Sequence, residues 1–281
     1  MQIAPFSWRT AFLVLVLALA VSSPGGLSRS AFAQKKAPRG ARVLLLSGGQ
    51  RQHHGYRDQA LYLANALEDT GRYEVTINED AAVLLTPAMA KYDILIVNAD
   101  RRDPEFKFTR EQQQGLLDWV KAGHGYVSIH GADNAAPDWL PAWRDMLGGI
   151  FSHIGTPDGK VRKGTYTVKI ADTSHPVTRG LKDFELKDEL YYYMQMQPGV
   201  EPLATTEFEG TAWPVAWTRV YGNGRVFHTP LGHRDFGPDK HDPIRDPNLS
   251  KLIVQGVDWV ASNRQPGTTQ SAAEVGKPRS R

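Results

Sequence analysis

Imidazoles and a carboxylate stand along this 281-residue chain where chemistry is usually done. His130 closes the run Gly125-Tyr-Val-Ser-Ile-His130-Gly-Ala-Asp133. Tyr126 to Ile129 reads as a buried strand, and Gly131 with the Asp133-Asn134 pair turns the chain. Open α/β sheets bind ligands outside the carboxyl ends of their strands, so His130 is expected at the mouth of a crevice. His153, Glu189 and His233 are the further candidates for that crevice. Such a set serves either of two chemistries: it exchanges protons near neutral pH, or it holds a divalent metal. On the first reading His130, Glu189 and His233 are catalytic. On the second His130, His153 and His233 are ligands, and zinc, manganese and iron all suit a shell of imidazole and carboxylate.

Other side chains are candidates for holding the substrate. His54, of the pair His53-His54, lies in the loop after the first strand, and Arg234 follows His233 directly. Trp139 and Tyr191 offer ring faces to a sugar, although Trp139 and Trp143 share an i, i+4 spacing that suits core packing equally. Gly232 lets the backbone approach a ligand closely. His175, before Pro176, reads as a turn residue, and His124, His228 and His241 carry no argued role. Ser47-Gly-Gly49 is too short a glycine signal to predict a nucleotide. The chain has no cysteine, which excludes a thiolate nucleophile, a thiolate metal site and disulfides. It has no G-x-S-x-G elbow either.

The elements that must position these residues follow from apolar periodicity. Val43 to Leu46, Tyr73 to Ile77, Ile94 to Val97 and Tyr126 to Ile129 read as strands, mostly apolar throughout, as in parallel sheets covered on both faces. Arg57 to Thr70 repeats Leu61, Ala64 and Leu67 at helical spacing and stops at Gly71. Thr109 with Gln112 predicts a capping box, opening a helix that buries Leu116, Leu117 and Val120 and ends at Gly123. This alternation predicts a doubly wound, mostly parallel sheet. The second half changes character: Thr165 to Ile170, Val200 to Thr206, Pro214 to Thr218 and Gly224 to Thr229 are short strands with little helix between them. They are expected to extend the sheet as antiparallel strands. Tyr221-Gly-Asn-Gly224 is a hairpin turn, and Pro247-Asn248 opens a final helix.

Residues 1–33 read as a signal peptide: Arg9 supplies the positive region, Ala11 to Val21 the short apolar region and Ala31-Phe-Ala33 the cleavage site. Residues 34–40 read as a basic linker, 41–264 as one α/β domain, and 265–281 as a disordered tail. The expected product is exported and periplasmic, free of the membrane after cleavage. The formal net charge is +3. Arg9 and Arg29 of the leader and Lys277, Arg279 and Arg281 of the tail, against Glu274, lie outside residues 34–264, which are left near neutral with 28 basic and 29 acidic groups. No basic stripe argues for nucleic acid.

Taken together, these stretches resemble the ThuA-like (trehalose-utilisation) family. The matching pieces are Gly125 through Ala132, Trp143 through Leu147-Gly-Gly-Ile-Phe-Ser-His153, His175-Pro-Val-Thr-Arg-Gly180, Asp188-Glu-Leu-Tyr191, Pro214-Val-Ala-Trp217 and Gly222 through His233. They span 41–263, and their order is more specific than any one of them. The resemblance implies a flavodoxin-like or class I glutamine amidotransferase-like fold, with His130 where those enzymes keep a nucleophilic cysteine and His233 near their catalytic histidine. It implies His130, His153, Glu189 and His233 as the site. It also implies catabolism of trehalose or related disaccharides through 3-keto-glycosides made by a partner sugar dehydrogenase. Ser128 and Gly131 depart from the family, where many relatives have Gly and Ser respectively. The other class of function open to such a scaffold is non-catalytic sugar or glycan binding.

Overall fold

The structure, a computed structural model, describes residues 40–49, 54–101, 107–134, 138–151, 159–234 and 241–263. The leader 1–33, the tail 265–281, His53 and His153 lie outside the described residues, as does the linker except Gly40. The first half alternates strand and helix: β1 (Ala41–Gly49), α1 (Tyr56–Glu68), β2 (Tyr73–Asn78), β3 (Ile94–Asp100), α2 (Arg110–Lys121) and β4 (Gly125–Ile129). After α3 (Ala142–Leu147) and the short β5 (Gly149–Ile150) come strands with no helix among them. These are β6 (Lys160–Ile170), β7 (Phe184–Tyr192), β8 (Gln195–Met196), β9 (Pro202–Phe208), β10 (Thr211–Tyr221) and β11 (Gly224–Thr229), and α4 (Pro247–Ala261) closes the fold.

Nine strands form one sheet in the order β2-β1-β3-β4-β11-β10-β9-β6-β7. The pairs from β2 to β11 are parallel, and those from β11 to β7 are antiparallel. The sheet is thus α/β with a parallel centre and antiparallel strands added, as the apolar runs predict. Parallel strands must be covered on both faces, and alternate residues of β1 show how. Val43 and Leu45 enter a cluster with Leu63 and Leu67 of α1 and Leu252 and Ile253 of α4. Leu44 and Leu46 enter another with Leu116 and Leu117 of α2 and Trp143 of α3.

Helix ends follow local chemistry. Thr109 Oγ1 accepts from Gln112 N at 3.2 Å, and Gln112 Oε1 accepts from Thr109 N at 2.9 Å, the reciprocal pair expected. Asp246 caps α4, its Oδ1 accepting from Asn248 N at 2.8 Å, with Pro247 at the first helical position. Gly222 and Asn223 make the two-residue turn between β10 and β11, Tyr221 facing Gly224. None of the described helices is long and apolar enough to cross a membrane.

The short β5 and β8 carried no sequence signal, β10 is longer than expected at both ends, and two further differences bear on the site. β6 begins at Lys160, five residues before the alternation becomes clear. β7 has no counterpart in the sequence reading, because Glu185, Lys187, Asp188 and Glu189 interrupt its apolar pattern. Its period is nonetheless two: Phe184, Leu186, Leu190 and Tyr192 all join the first cluster, with Asp188 holding the intervening position.

A close approach of α4 to β11 yields a stability prediction. A β-carbon at Gly256 would overlap the ring of Phe227, which is fully buried. Alanine favours a helix over glycine by about 1 kcal/mol, but overpacking costs roughly 1–3 kcal/mol. A ring carbon would stand well under 3.0 Å from the new methyl, which puts the overlap at the upper end of that cost, so Gly256→Ala should destabilise the protein by up to about 2 kcal/mol, read as a lower urea midpoint; an unchanged or raised midpoint would contradict this packing.

Candidate functional site

Strand ends bring the site together. His130 directly follows β4, in a single 3-10 turn that runs to Asp133, and its backbone is left-handed with φ +48°. That conformation is uncommon outside glycine, and it projects the ring out of the strand end. His54 lies in the segment between β1 and α1, and His233 lies just beyond β11. The strand-loop geometry therefore gathers three histidines at the strand ends.

All three are buried: His54 is 7% exposed, His130 1% and His233 8%. His130 Nε2 is 2.9 Å from His233 Nδ1. The His54 ring centroid lies 5.3 Å from that of His130 and 4.8 Å from that of His233. Tyr191 OH donates to His130 Nε2 at 3.1 Å, and Glu189 Oε1 is 3.5 Å from His233 Nδ1. His130 Nδ1 is 2.8 Å from Pro230 O. A carbonyl can only accept, so Nδ1 carries the ring proton and the Nε2 lone pair faces the cluster. Burial, then the neighbouring imidazoles of His233 and His54, hold His130 well below the ordinary histidine range, so its ring is neutral near pH 7. Burial likewise raises the Tyr191 phenol well above its usual value, keeping it protonated and a donor.

Four of the predicted residues, His130, His233, Glu189 and Tyr191, thus touch one another, and His54 completes the group. Trp139 and Arg234 are placed otherwise. Trp139 precedes α3 rather than sharing it, is 2% exposed, and packs in the core against Trp143 at 4.8 Å and Phe108 at 5.6 Å between ring centroids. It shows no face to a sugar; the i, i+4 spacing reports packing. Arg234 is engaged with the scaffold: its Nη1 donates to Gly55 O at 3.0 Å and pairs with Asp58 Oδ2 at 2.6 Å, while Gly55 N donates to Arg234 O at 3.2 Å. It staples the His54 loop to the His233 loop. His175 is the turn residue expected, its Nδ1 accepting from Val177 N at 3.2 Å.

The residue that sequence reasoning most undervalued is Asp188. Its Oδ2 accepts from Gly232 N at 2.7 Å, and its Oδ1 accepts from His233 N at 2.9 Å and Glu189 N at 2.7 Å. The loop after β11 therefore meets β7, which takes its backbone through Asp188 and faces its ring with Glu189. The available signal was a charge at a position where a period of two calls for an apolar residue. Tyr56, stacked on His54 at 4.8 Å, and the wholly buried pair His228 Nε2 and Asp133 Oδ2, 3.2 Å apart, also carried no sequence signal. A cleft of about 50 Å³ reaches the group at Glu189 and His233, beside Asp188, Lys163 and His241; His54, His130 and Tyr191 are not among its described lining residues.

The family model described as "ThuA: Trehalose utilisation" matches residues 42–260. Among solved structures, a ThuA-like protein from Parabacteroides merdae ATCC 43184 is similar at 23% identity and TM-score 0.66, covering 80% of this chain and 91% of that one. A ThuA-like protein from Bacteroides uniformis ATCC 8492 is similar at 20% identity and TM-score 0.60, covering 80% and 92%. A β-galactosidase from Rahnella sp. R3 shares the fold at 13% identity and TM-score 0.55, over 81% of this chain and 32% of that one. No curated protein matches the chain in sequence.

Burial outweighs the three N–H donors at Asp188 and raises its carboxyl to about 8, from 3.8. A carboxyl raised on folding stabilises most when protonated, and that contribution declines as pH rises from about 4 to about 8. Asp188→Asn removes the titration and sets an N–H₂ against the amides of the loop. The variant should be less stable at acidic pH by about 1–3 kcal/mol, with a shallower decline across the window. Thermal melts of both proteins over that range check this; parallel slopes would refute it.

Proposed function

Because the chain belongs to the ThuA (trehalose utilisation) family, whose role is carbohydrate-related, we propose that it processes a sugar or glycoside already oxidised to the 3-ketone. The observation that carries this reading is the clustering of His130, His233, Glu189 and Tyr191, which a cleft reaches at Glu189 and His233. Such a group moves protons, and a ketone gives it a proton worth moving. A carbonyl at C3 acidifies the C–H at C2. Glu189 takes that proton, backed by the His233 ring at 3.5 Å. The electron pair passes to the carbonyl oxygen as an enolate, toward which Tyr191 and the imidazoles offer donors. Collapse of the enolate forms the C1–C2 double bond and expels the glycosidic oxygen, which leaves with a proton from an acid of the cluster. Reprotonation without expulsion gives an isomerised keto-sugar instead.

An unoxidised glycoside lacks the acidic C–H, so the reading requires a dehydrogenase to act first. The leader-like segment ending at Ala31-Phe-Ala33 supports a periplasmic place of work. The mature protein should turn over 3-keto-trehalose and leave trehalose untouched, with mass spectrometry following both. Glu189→Gln should lower kcat by about 10²- to 10⁴-fold, and His130→Ala should also impair turnover. Binding of the keto-sugar without turnover, unchanged in either variant, would replace this reading with that of a sugar-binding domain.

A further inference from the structure

Proton transfer uses the imidazoles one at a time, whereas their arrangement is collective. With its proton committed to Pro230 O, His130 presents one inward lone pair, and two groups crowd it: His233 Nδ1 at 2.9 Å and Tyr191 OH at 3.1 Å. One ring nitrogen from each of His54, His130 and His233 lies within 4.8 Å of the other two. An imidazole that gives one N–H to a backbone carbonyl and aims its other nitrogen at its neighbours has the orientation that outer partners impose on metal-binding histidines. Metal–nitrogen bonds of about 2.1 Å place neighbouring ligand nitrogens roughly 3.0 Å apart at right angles and about 3.4 Å apart in a tetrahedral shell. The His130–His233 edge, at 2.9 Å, is close to that spacing, and a closure of His54 toward it completes the triangle.

Charge points the same way. The three imidazoles are buried together, and one ring nitrogen of each faces the other two. A divalent ion satisfies them together, and the Glu189 carboxylate beside His233 supplies compensating negative charge. The His54 and His233 loops are held to each other by the Gly55–Arg234 contacts, which sets two ligands in place before any ion arrives. We infer that His54, His130 and His233 are the protein ligands of one divalent first-row transition metal ion, with Glu189 within reach as a fourth, oxygen donor. His54 thus joins His130 and His233 in the ligand set, while His153 lies outside the described residues. The inference rests on the site proposed above, not on its substrate.

The test uses untagged protein without its leader, stripped with chelator and titrated with cobalt(II) and with zinc(II). About one equivalent should bind, cobalt giving the visible absorption of a nitrogen-rich site and zinc raising the Tm. His54→Ala and His233→Ala should each weaken binding at least about tenfold, whereas His124→Ala, whose ring is held by Trp119 O, should bind as wild type. If an alanine variant fails to fold, His54→Gln replaces it, and zinc protection of the wild type is read independently. Wild-type protein that takes up no stoichiometric metal, or variants that bind as tightly as wild type, would overturn the inference. Stoichiometric metal without keto-sugar turnover would sink the proposed function alone; turnover by metal-free protein that binds no added ion would sink the metal site alone.

Discussion

One buried carboxyl group holds the two halves of this sheet together. β7 stands at the far edge, with β6, β9 and β10 between it and β11. Yet Asp188 on β7 accepts the amides of Gly232 and His233, in the loop that leaves β11. The antiparallel half must curl back for that contact, and in doing so it carries Glu189 and Tyr191 to the parallel half's histidines. Burying a carboxyl costs several kcal/mol unless its oxygens are satisfied. Here both oxygens accept backbone N–H groups, which leaves the loop little freedom to move away.

Part of the polar interior around the site obeys the same rule. His130 is satisfied at both ring nitrogens, by Pro230 O on one side and by His233 and Tyr191 on the other. Beyond it the Asp133–His228 pair is wholly enclosed, and Asn134 Nδ2 donates to Asp100 Oδ2 at 2.9 Å, tying the turn to the end of β3. Polar contacts at low dielectric are stronger than in water, and they fix geometry because leaving one unmade is expensive. Low dielectric also explains why an imidazole and a phenol can sit in contact here with both neutral.

Most of the fold was legible because parallel strands covered on both faces are written as unbroken apolar runs. Val43 to Leu46 and Ile94 to Val97 could hardly be anything else, and Thr109 with Gln112 marked a helix start by chemistry rather than by statistics. His130 and His233 were legible for a related reason: a histidine just beyond a strand has few structural uses. β7 was hidden because the residues that meet the His233 loop, Asp188 and Glu189, are the ones that break its pattern. Arg234 and Trp139 misled in the opposite sense, since a cation or an indole near a site looks like a ligand contact until its partners are known. Gly55, Asp58 and Phe108 are those partners, and the residue types alone name none of them.

The left-handed backbone at His130 has a wider consequence. Glycine would hold that turn with less strain, so a chain shaped only to endure would have little reason to keep an imidazole there. The fold concedes some of its own robustness at the one position where its chemistry converges. Variants recovered purely for heat resistance should therefore tend to erode the centre of the crevice before they touch its walls.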